Sequence, residues 1–245
     1  MKKAWLTVRS AVLWAISGVH FALVCTFLVI LGILVDPRKN DWPQRVFFRN
    51  ILRFAGVGFE VKRSPGFDPN RTSIFICNHV NIFDPFVIYS AIPQFVRGFE
   101  LESHFKVPVY GWMMGRFGNV PVPDARSREG LERMTRKTKE ALDSGVSLIA
   151  FAEGSRTRTG HVQRFHKGVF RLAQKFGTPI VPMSIVGSYQ FFRTGHWMLH
   201  PGKITVYLHD TIDAAQAART GIDELADRVH AIVSAPVEES LPSAT

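Results

Sequence analysis

Cysteine is scarce in this chain: Cys25 and Cys77 are the only two among 245 residues. Cys25 lies in an apolar run and Cys77 in an expected core strand. Two such cysteines exclude a disulfide framework and a paired-cysteine zinc site. We therefore expect a main body that stays reduced and faces the cytoplasm.

Acidic residues are also in the minority. The 30 Lys and Arg outnumber the 20 Asp and Glu, which gives a net charge of +10. This excess predicts an acidic partner such as nucleic acid, an anionic lipid or a phosphorylated substrate. The hydrophobic content of 46% excludes a disordered chain, and 245 residues are too few for two full-sized domains.

Charge is missing altogether from residues 11–35, which contain no Asp, Glu, Lys or Arg. A helix of this length measures about 37 Å, against about 30 Å for the hydrocarbon core of a bilayer. It can span the bilayer or lie obliquely in one leaflet, and basic residues at both ends leave the orientation open. A cleavable signal peptide is disfavoured because no small-residue cleavage pattern precedes Asp36.

Residues 42–54 combine arginines with apolar residues. Arg45, Arg49 and Arg53 recur every four residues, and aromatic and aliphatic side chains occupy the other faces. The pattern predicts an amphipathic helix with its arginines on lipid phosphates and its aromatics in the acyl region. An ordinary surface helix is the alternative. We expect residues 1–55 to dock on the membrane, 56–235 to form the main domain and 236–245 to form a polar tail.

Short apolar runs alternate with helical stretches after residue 56. Strands are predicted at residues 57–61, 73–77, 147–151, 179–186 and 204–208. Helices are predicted after Ser127, over residues 167–176 and over residues 221–233. The alternation predicts an α/β fold: a mixed, largely parallel sheet flanked by helices, with an N-terminal membrane-associated helical segment. Sites in such sheets gather at the carboxyl ends of the strands.

Two polar clusters follow predicted strands. His79 and Asp84 come directly after the strand at 73–77. A carboxylate on one imidazole nitrogen fixes the tautomer, which leaves the other nitrogen to take a proton from an alcohol. After the strand at 147–151, Glu153 and Gly154 precede Arg156 and Arg158, and this combination of a close-approaching backbone and two guanidinium groups predicts a phosphate-binding turn.

Three motifs in this order resemble those of the 1-acyl-glycerol-3-phosphate acyltransferase family of glycerolipid acyltransferases. They are Asn-His-x4-Asp at residues 78–84, Phe-Ala-Glu-Gly-Ser-Arg at 151–156 and Ile-Val-Pro-Met-Ser-Ile at 180–185. The resemblance covers residues 55–210 and extends to the segments 108–111, 118–122 and 165–168.

The resemblance implies transfer of a fatty acyl group to the free hydroxyl of lysophosphatidic acid, which gives phosphatidic acid. His79 would be the general base and Asp84 its partner. The acyl donor would be acyl-CoA or an acyl-carrier protein as co-substrate, with no cofactor, no metal and no nucleic acid, and membrane lipids would be partners. The substrate-binding residues implied are Asn78, Glu153, Gly154, Ser155, Arg156 and Arg126. Backbone amides at the turn after the first strand are candidates for stabilising the oxyanion, but nothing in the sequence identifies them.

Two departures from the family pattern fall on the acceptor headgroup. Leu101 and Glu102 stand where the family usually has a lysine before its Pro-x-x-Gly element. Arg126 matches the arginine of the family's second motif only with a slip of one residue. Another lysolipid acceptor is therefore an alternative.

Two alternatives come from other classes of protein. A metal-dependent hydrolase would combine His79 and Asp84 with His161 or His166, although no cysteine pair or His-Glu-x-x-His motif accompanies them. A non-catalytic module would bind nucleic acid or anionic lipid through a basic helix. Its residues would be Arg126, Arg128, Arg133, Arg136, Lys137 and Lys139.

Overall fold

The computed structural model describes residues 2–37, 41–125 and 127–241. Its centre is a seven-stranded sheet with the order β1-β7-β6-β2-β5-β3-β4. All neighbouring strands are parallel except β6 and β7, which are antiparallel. The strands are β1 (Val57–Arg63), β2 (Ile74–Cys77), β3 (Val96–Leu101), β4 (Val120–Val122), β5 (Ser147–Phe151), β6 (Ile180–Val186) and β7 (Gly202–Leu208).

Helices cover both faces of the sheet, so the predicted fold class is confirmed. They are α1 (Lys2–Leu34), α2 (Trp42–Phe54), α3 (Asp84–Ala91), α4 (Tyr110–Arg116), α5 (Arg128–Asp143), α6 (Gly168–Lys175), α7 (Ser188–Phe191), α8 (Ala214–Arg219) and α9 (Ile222–Ser240), with a 3-10 helix at Glu102–Lys106.

Alternate residues of the central strand β2 point to opposite faces of the sheet. Phe75 and Cys77 pack in a core formed with α1 to α4, whereas Ile74 and Ile76 pack in a second core with α5, α6, α8 and α9. A parallel strand buried on both faces is a continuous apolar run, which is why the sequence predicts β2, β5 and β6.

β3 and β4 are absent from the predicted strands. β3 carries Arg97, whose side chain is 1% exposed, and β4 has only three residues, one of them Pro121. Arg97 is accommodated because its guanidinium lies 3.7 Å from the ring of Phe95 and donates a hydrogen bond to the Phe117 carbonyl at 2.6 Å. Neither β3 nor β4 shows the alternation of apolar and polar residues by which a strand is recognised in a sequence.

The apolar face of α2 differs from the prediction. Phe47, Phe48, Ile51 and Leu52 are buried in the protein core instead of lying in the acyl region of a membrane. Arg45 binds the protein as well, because it pairs with Asp41 at 2.7 Å and donates to the Gln94 carbonyl at 2.8 Å. Burial against α1 and α3 stabilises these side chains without a bilayer.

Of two other predicted segments, one agrees with the structure and one differs from it. Ser127 caps α5 as predicted by accepting a hydrogen bond from the Gly130 amide at 3.0 Å. Residues 236–240 continue α9 instead of forming the predicted polar tail, because Val237 is buried against the core. Residues 242–245 lie outside the described residues.

The basic residues of α5 are neutralised by acids. Each described Arg and Lys in this helix lies within 4 Å of a carboxylate. The helix therefore lacks the free positive surface that a nucleic-acid-binding module requires. These ion pairs join Arg128 to Glu132, Arg133 to Glu102 and Glu129, Arg136 and Lys137 to Glu140, and Lys139 to Asp143.

α1 is the one described helix that is long and apolar enough to cross a membrane, judged by length and composition. Only 22% of its most apolar window is buried, so it is not the core helix of a soluble domain. The exposed side chains recur every three or four residues and form one stripe. We call this the α1 stripe; it consists of Trp5, Val8, Val12, Ile16, Val19, Leu23, Phe27, Ile30 and Leu34. The exposed apolar stripe indicates membrane association.

The opposite side of α1 is fixed to the main body near both of its ends. Arg9 donates to the Leu199 carbonyl at 2.6 Å, and Trp14 donates to the Trp197 carbonyl at 2.6 Å. Near the other end, Arg116 of α4 donates to the Gly32 carbonyl. Arg9 and Gly32 are about 35 Å apart along the helix. The main body thus lies beside α1 over most of its length.

Replacement of Val12 and Leu23 by aspartate in the same chain tests the α1 stripe. Each aspartate costs up to about 3.5 kcal/mol in a hydrocarbon environment. We expect the fraction of protein that co-sediments with phospholipid vesicles to fall severalfold or more. Leu131→Asp, at an exposed position of α5, is the matched control and should leave co-sedimentation unchanged. Equal co-sedimentation of the double variant and the wild type would contradict the assignment.

Candidate active site

His79 and Asp84 meet at the carboxyl end of β2. The His79 Nδ1 atom lies 2.9 Å from Asp84 Oδ2. The imidazole stacks on the ring of Phe151 at the end of β5, with 3.8 Å between ring centroids and 17° between planes. The His79 side chain is 20% exposed, and its Nε2 makes no hydrogen bond within the described residues. This nitrogen is the one available to a substrate.

The Asp84 carboxylate is fully buried but extensively hydrogen-bonded. Its Oδ2 also accepts from the backbone amides of Val80 at 2.5 Å and Asn81 at 2.8 Å, and its Oδ1 accepts from Ser188 Oγ at 2.9 Å. Amide and hydroxyl donors compensate for the loss of water around a buried charge. Ser188, at the start of α7, was not marked by any sequence motif.

Glu153 holds the backbone of His79 in place. Its Oε1 accepts from the His79 amide at 2.6 Å, and its Oε2 accepts from the Gln163 amide at 2.9 Å. The Thr157 amide donates to the His79 carbonyl at 2.9 Å. The side chain of Glu153 is buried, and this burial raises the pKa of Glu153 to about 6. Both carboxylate oxygens of Glu153 therefore accept hydrogen bonds from backbone amides, one of which belongs to His79.

Asn78 is likewise engaged within the protein. Its amide group accepts from the Ile185 amide at 2.8 Å and donates to the Ile185 carbonyl at 3.0 Å. These bonds continue the pairing of β2 with β6 beyond Cys77. Asn81, which the sequence motif did not single out, donates to Ser188 and to the Phe192 carbonyl. Both asparagines fix the loop that carries His79.

Three amides of this loop are unavailable to an oxyanion. The amide of His79 donates to Glu153, and the amides of Val80 and Asn81 donate to Asp84. Carboxylates occupy these three donors, so the loop amides serve to hold the two acidic side chains.

The other predicted binding residues lie on the loop after β5. Gly154, Ser155 and Arg156 are exposed, and no described residue pairs with the Arg156 guanidinium. Gly154 has φ +69°, and a Cβ there would come within 2.9 Å of the His166 ring, so glycine permits this turn. Arg156 is thus free to contact an anion. Arg126 lies outside the described residues.

Glu102, at the place of the first departure from the family pattern, forms an ion pair in the structure. Glu102 Oε1 lies 2.7 Å from the guanidinium of Arg133, which belongs to α5. A positive charge therefore stands next to the position of the missing lysine, but it comes from another element. Asp124 accepts from the amide and hydroxyl of Ser103 and does not pair with this cluster.

An apolar cavity of about 360 Å³ lies beside the loop that carries the histidine. Phe151, which stacks on His79, lines it together with Ile82 and Phe83 of the loop between His79 and Asp84. Its far walls come from α1, α3, α4 and β3, and include Phe21, Phe86, Met113 and Phe99. A cavity of this size and lining suits a hydrocarbon chain.

Two other kinds of chemistry find little support at this site. Burial raises the pKa of the Cys77 thiol well above its usual value, which disfavours a thiolate nucleophile. Among residues 2–37, 41–125 and 127–241, no group of three or more His, Cys, Asp or Glu is placed to hold a metal ion. Of the two histidines of the metal-dependent alternative, His161 pairs with Glu238, and His166 packs on Gly154 in the loop after β5.

The raised pKa of Glu153 predicts a stability effect. The folded state binds a proton below about pH 6 and the unfolded state only below about pH 4.5. The free energy of unfolding should therefore fall as pH rises from about 4.5 to about 6, by about 2 kcal/mol from this group. The Glu153→Gln variant should lack this component. Denaturation of both proteins in detergent across this range measures the difference, and parallel curves would contradict it.

Comparison with known proteins places this architecture in a family. The family model described as Acyltransferase matches residues 58–186, which is more than half of the chain. The structure resembles that of the 1-acyl-sn-glycerophosphate (LPA) acyltransferase PlsC from Thermotoga maritima. The TM-score is 0.79 over 98% of this chain and 97% of that one, at 23% identity, which shows a shared fold.

Curated relatives carry related names. The chloroplastic 1-acyl-sn-glycerol-3-phosphate acyltransferase LPAT1 of Arabidopsis thaliana is 27% identical over 82% of this chain and 60% of its own length. The BAT2 protein of Brassica napus is 30% identical over 59% of this chain and 42% of its own length. The Pseudomonas aeruginosa 1-acyl-sn-glycerol-3-phosphate acyltransferase is 23% identical over 95% and 88%. The chain spans about half the length of the plant relatives.

These findings confirm the resemblance that the three sequence motifs carried. Because the family model extends over more than half of its residues, the chain belongs to the Acyltransferase family.

Proposed function

We propose that this protein transfers a fatty acyl group from a thioester to the free hydroxyl of lysophosphatidic acid. The observation that carries the proposal is the His79–Asp84 pair, whose stacking partner Phe151 lines an apolar cavity, with a free arginine on the adjoining loop. Relatives named as 1-acyl-sn-glycerol-3-phosphate acyltransferases support this acceptor.

In the proposed reaction, His79 Nε2 takes the proton of the acceptor hydroxyl. The oxygen attacks the thioester carbonyl carbon, a C–O bond forms, and the C–S bond breaks. The leaving thiolate then receives the proton from the imidazolium, so His79 returns to its neutral form. No covalent bond to the protein is needed because the acceptor itself supplies the nucleophile.

Asp84 makes His79 an effective base. Its hydrogen bond to Nδ1 keeps the proton on that nitrogen and leaves the lone pair on Nε2. Its negative charge, held by two amides and Ser188, also stabilises the imidazolium that forms during transfer. Stacking on Phe151 fixes the plane of the ring.

The apolar cavity would hold the acyl chain of one substrate. Each methylene group moved from water into such a cavity contributes about 0.8 kcal/mol. The lining by Ile82, Phe83 and Phe151 would place the carbonyl end of the chain beside His79.

Arg156 would bind the acceptor phosphate. It is exposed, it has no described partner, and the fork of its guanidinium matches phosphate oxygens. Gly154 and Ser155 would contribute the backbone of the same turn. We assign Asn78 and Glu153 as positioning residues instead of substrate ligands, because their polar atoms are engaged with Ile185, His79 and Gln163.

A different lysolipid acceptor is the second candidate function. The Glu102–Arg133 pair favours it, because a carboxylate stands where a phosphate-binding lysine would be expected. An acceptor whose headgroup bears both charges would suit such a pair better than a phosphate monoester.

The contacts of α1 favour insertion into one leaflet over a complete span. Both ends of the helix are fixed to the main body, at Arg9 and Gly32, so the body and the helix would share one side of the membrane. We propose the cytoplasmic membrane, with the main domain on its cytoplasmic side. Both lipid substrates would then reach His79 without leaving the interface.

Replacement of His79 by alanine tests the base. We expect the transfer rate kcat to fall about 10²- to 10⁴-fold, because general-base catalysis contributes this much. The melting temperature and vesicle binding should stay unchanged. His161→Ala is the matched control and should retain wild-type turnover, with or without a chelator. Wild-type turnover in His79→Ala would refute the proposed base.

Replacement of Arg156 by alanine tests the phosphate contact. A charge-assisted hydrogen bond contributes about 1.5 to 3 kcal/mol, so KM for lysophosphatidic acid should rise roughly 10- to 100-fold. KM for the acyl donor should not change, and Arg156→Lys should recover part of the loss. An equal effect on monoacylglycerol, which lacks the phosphate, would argue against this role.

A further inference from the structure

An acidic side chain lies in the wall of the apolar cavity. Glu100, near the end of β3, lines the cavity together with Phe151 of β5. The two strands are parallel, with Gly98 in register with Ile149. Two residues further along, Glu100 therefore stands next to Phe151, whose ring stacks on His79. Neighbouring strands lie about 4.8 Å apart, so Glu100 belongs to the part of the cavity close to the candidate base.

The two carboxylate oxygens of Glu100 have different surroundings. Oε1 is hydrogen-bonded to Nδ1 of His104, a half-exposed residue that is not among the described residues of the cavity lining. Oε2 accepts a hydrogen bond from the hydroxyl of Tyr110 at 3.3 Å, and Tyr110 does line the cavity. Burial raises the pKa of Tyr110 above its ordinary value, so this hydroxyl keeps its proton. We call Glu100 and Tyr110 the cavity pair.

Other polar side chains of the lining differ in whether they are already bonded. The Tyr89 hydroxyl donates to Asn119 Oδ1 at 3.0 Å, and the same oxygen accepts from the Gly98 amide at 2.8 Å. In contrast, the Oγ atom of Ser17 on α1 is buried and has no hydrogen-bond partner within the described residues. The cavity wall therefore carries polar groups, at Glu100 and Ser17, that an unsubstituted hydrocarbon chain would leave unused.

The carboxylate of Glu100 has room for another hydrogen-bond donor. A carboxylate has about four acceptor positions, of which His104 and Tyr110 take two. An unsubstituted hydrocarbon chain in the cavity would displace solvent from the other positions without replacing its hydrogen bonds, which is unfavourable for a buried acceptor. A hydroxyl group on the chain would donate to the carboxylate and avoid this loss.

We propose that the cavity pair binds a hydroxyl group on the transferred acyl chain, close to its thioester end. This inference rests on the proposed function, which puts that chain in the cavity with its carbonyl beside His79. Since Glu100 is one strand away from Phe151, which stacks on His79, it can reach a hydroxyl near the reactive carbonyl but not one at the methyl end. The preferred donors are then 3-hydroxyacyl thioesters.

The test replaces Glu100 by leucine in the full-length protein in detergent and compares palmitoyl and 3-hydroxypalmitoyl thioesters of the same carrier. The wild type should have the higher kcat/KM with the 3-hydroxy donor. In Glu100→Leu, the ratio of the two kcat/KM values, hydroxylated over plain, should fall roughly 10- to 100-fold, as expected for loss of a hydrogen bond to a charged group. Glu100→Gln keeps an acceptor oxygen and should give an intermediate ratio. A purely structural role would lower both rates alike and leave the ratio unchanged.

Glu132→Leu, at an exposed position of α5, is the matched control and should keep the wild-type ratio. A donor hydroxylated at its methyl end is the positional control, and its ratio to the plain donor should not change in Glu100→Leu. The inference is overturned by wild-type preference for the plain donor, by an unchanged ratio in Glu100→Leu, or by an equal fall with the methyl-end donor. Failure of the proposed function would appear instead as no transfer by the wild type with any donor. Calorimetric binding of the same donors to both proteins, without an acceptor, then gives the comparison.

Discussion

The buried carboxylate of Asp84 is the constraint on which this site depends. A fully buried charge is tolerated only where hydrogen bonds replace its water, and here four donors do so. Two of the donors are consecutive amides, which forces the chain after β2 to curl around Asp84. The fourth, Ser188, comes from α7, so β6 and its following turn must be in place. The orientation of His79 is a consequence of this arrangement.

Glu153 plays a complementary part on the other side of the same loop. Asp84 binds the imidazole, whereas Glu153 binds the backbone of the same residue. Two acids, Asp84 at the start of α3 and Glu153 just after β5, thereby fix one histidine in position and in tautomer. Their backbone bonds also consume the amides that would otherwise be candidates for an oxyanion site. In the proposed reaction, the negative charge of the intermediate must therefore be stabilised by other groups.

The surroundings of His79 divide into regions of different chemistry. An apolar cavity lies toward β3 and α4, and the free Arg156 lies on the loop after β5. The α1 stripe is exposed, whereas Trp14, Gly18 and Phe21 of the same helix line the cavity. The cavity is therefore next to the helix that carries the stripe. A reaction between two acylated substrates needs this separation, since chains and phosphates favour opposite environments.

Local sequence determined the central strands, the strand-end position of His79 and Asp84, and the apolar character of α1. Each of these depends on neighbours in the chain or on a continuous buried run. It also carried the motifs that placed the chain in its family. The sequence did not predict β3, because Arg97 is buried there through contacts with Phe95 and Phe117 that no periodicity encodes.

Only tertiary structure decided what the functional side chains touch. Glu153 and Asn78 belong to motifs that suggest substrate contact, yet their partners lie up to 107 residues away in the chain and are backbone groups. Long-range packing likewise decided that Arg133 lies beside Glu102 and that one face of α2 is buried. Sequence specifies which chemical groups are available, whereas long-range packing selects the partner that each one finds, because that choice depends on distances fixed only when the sheet has formed.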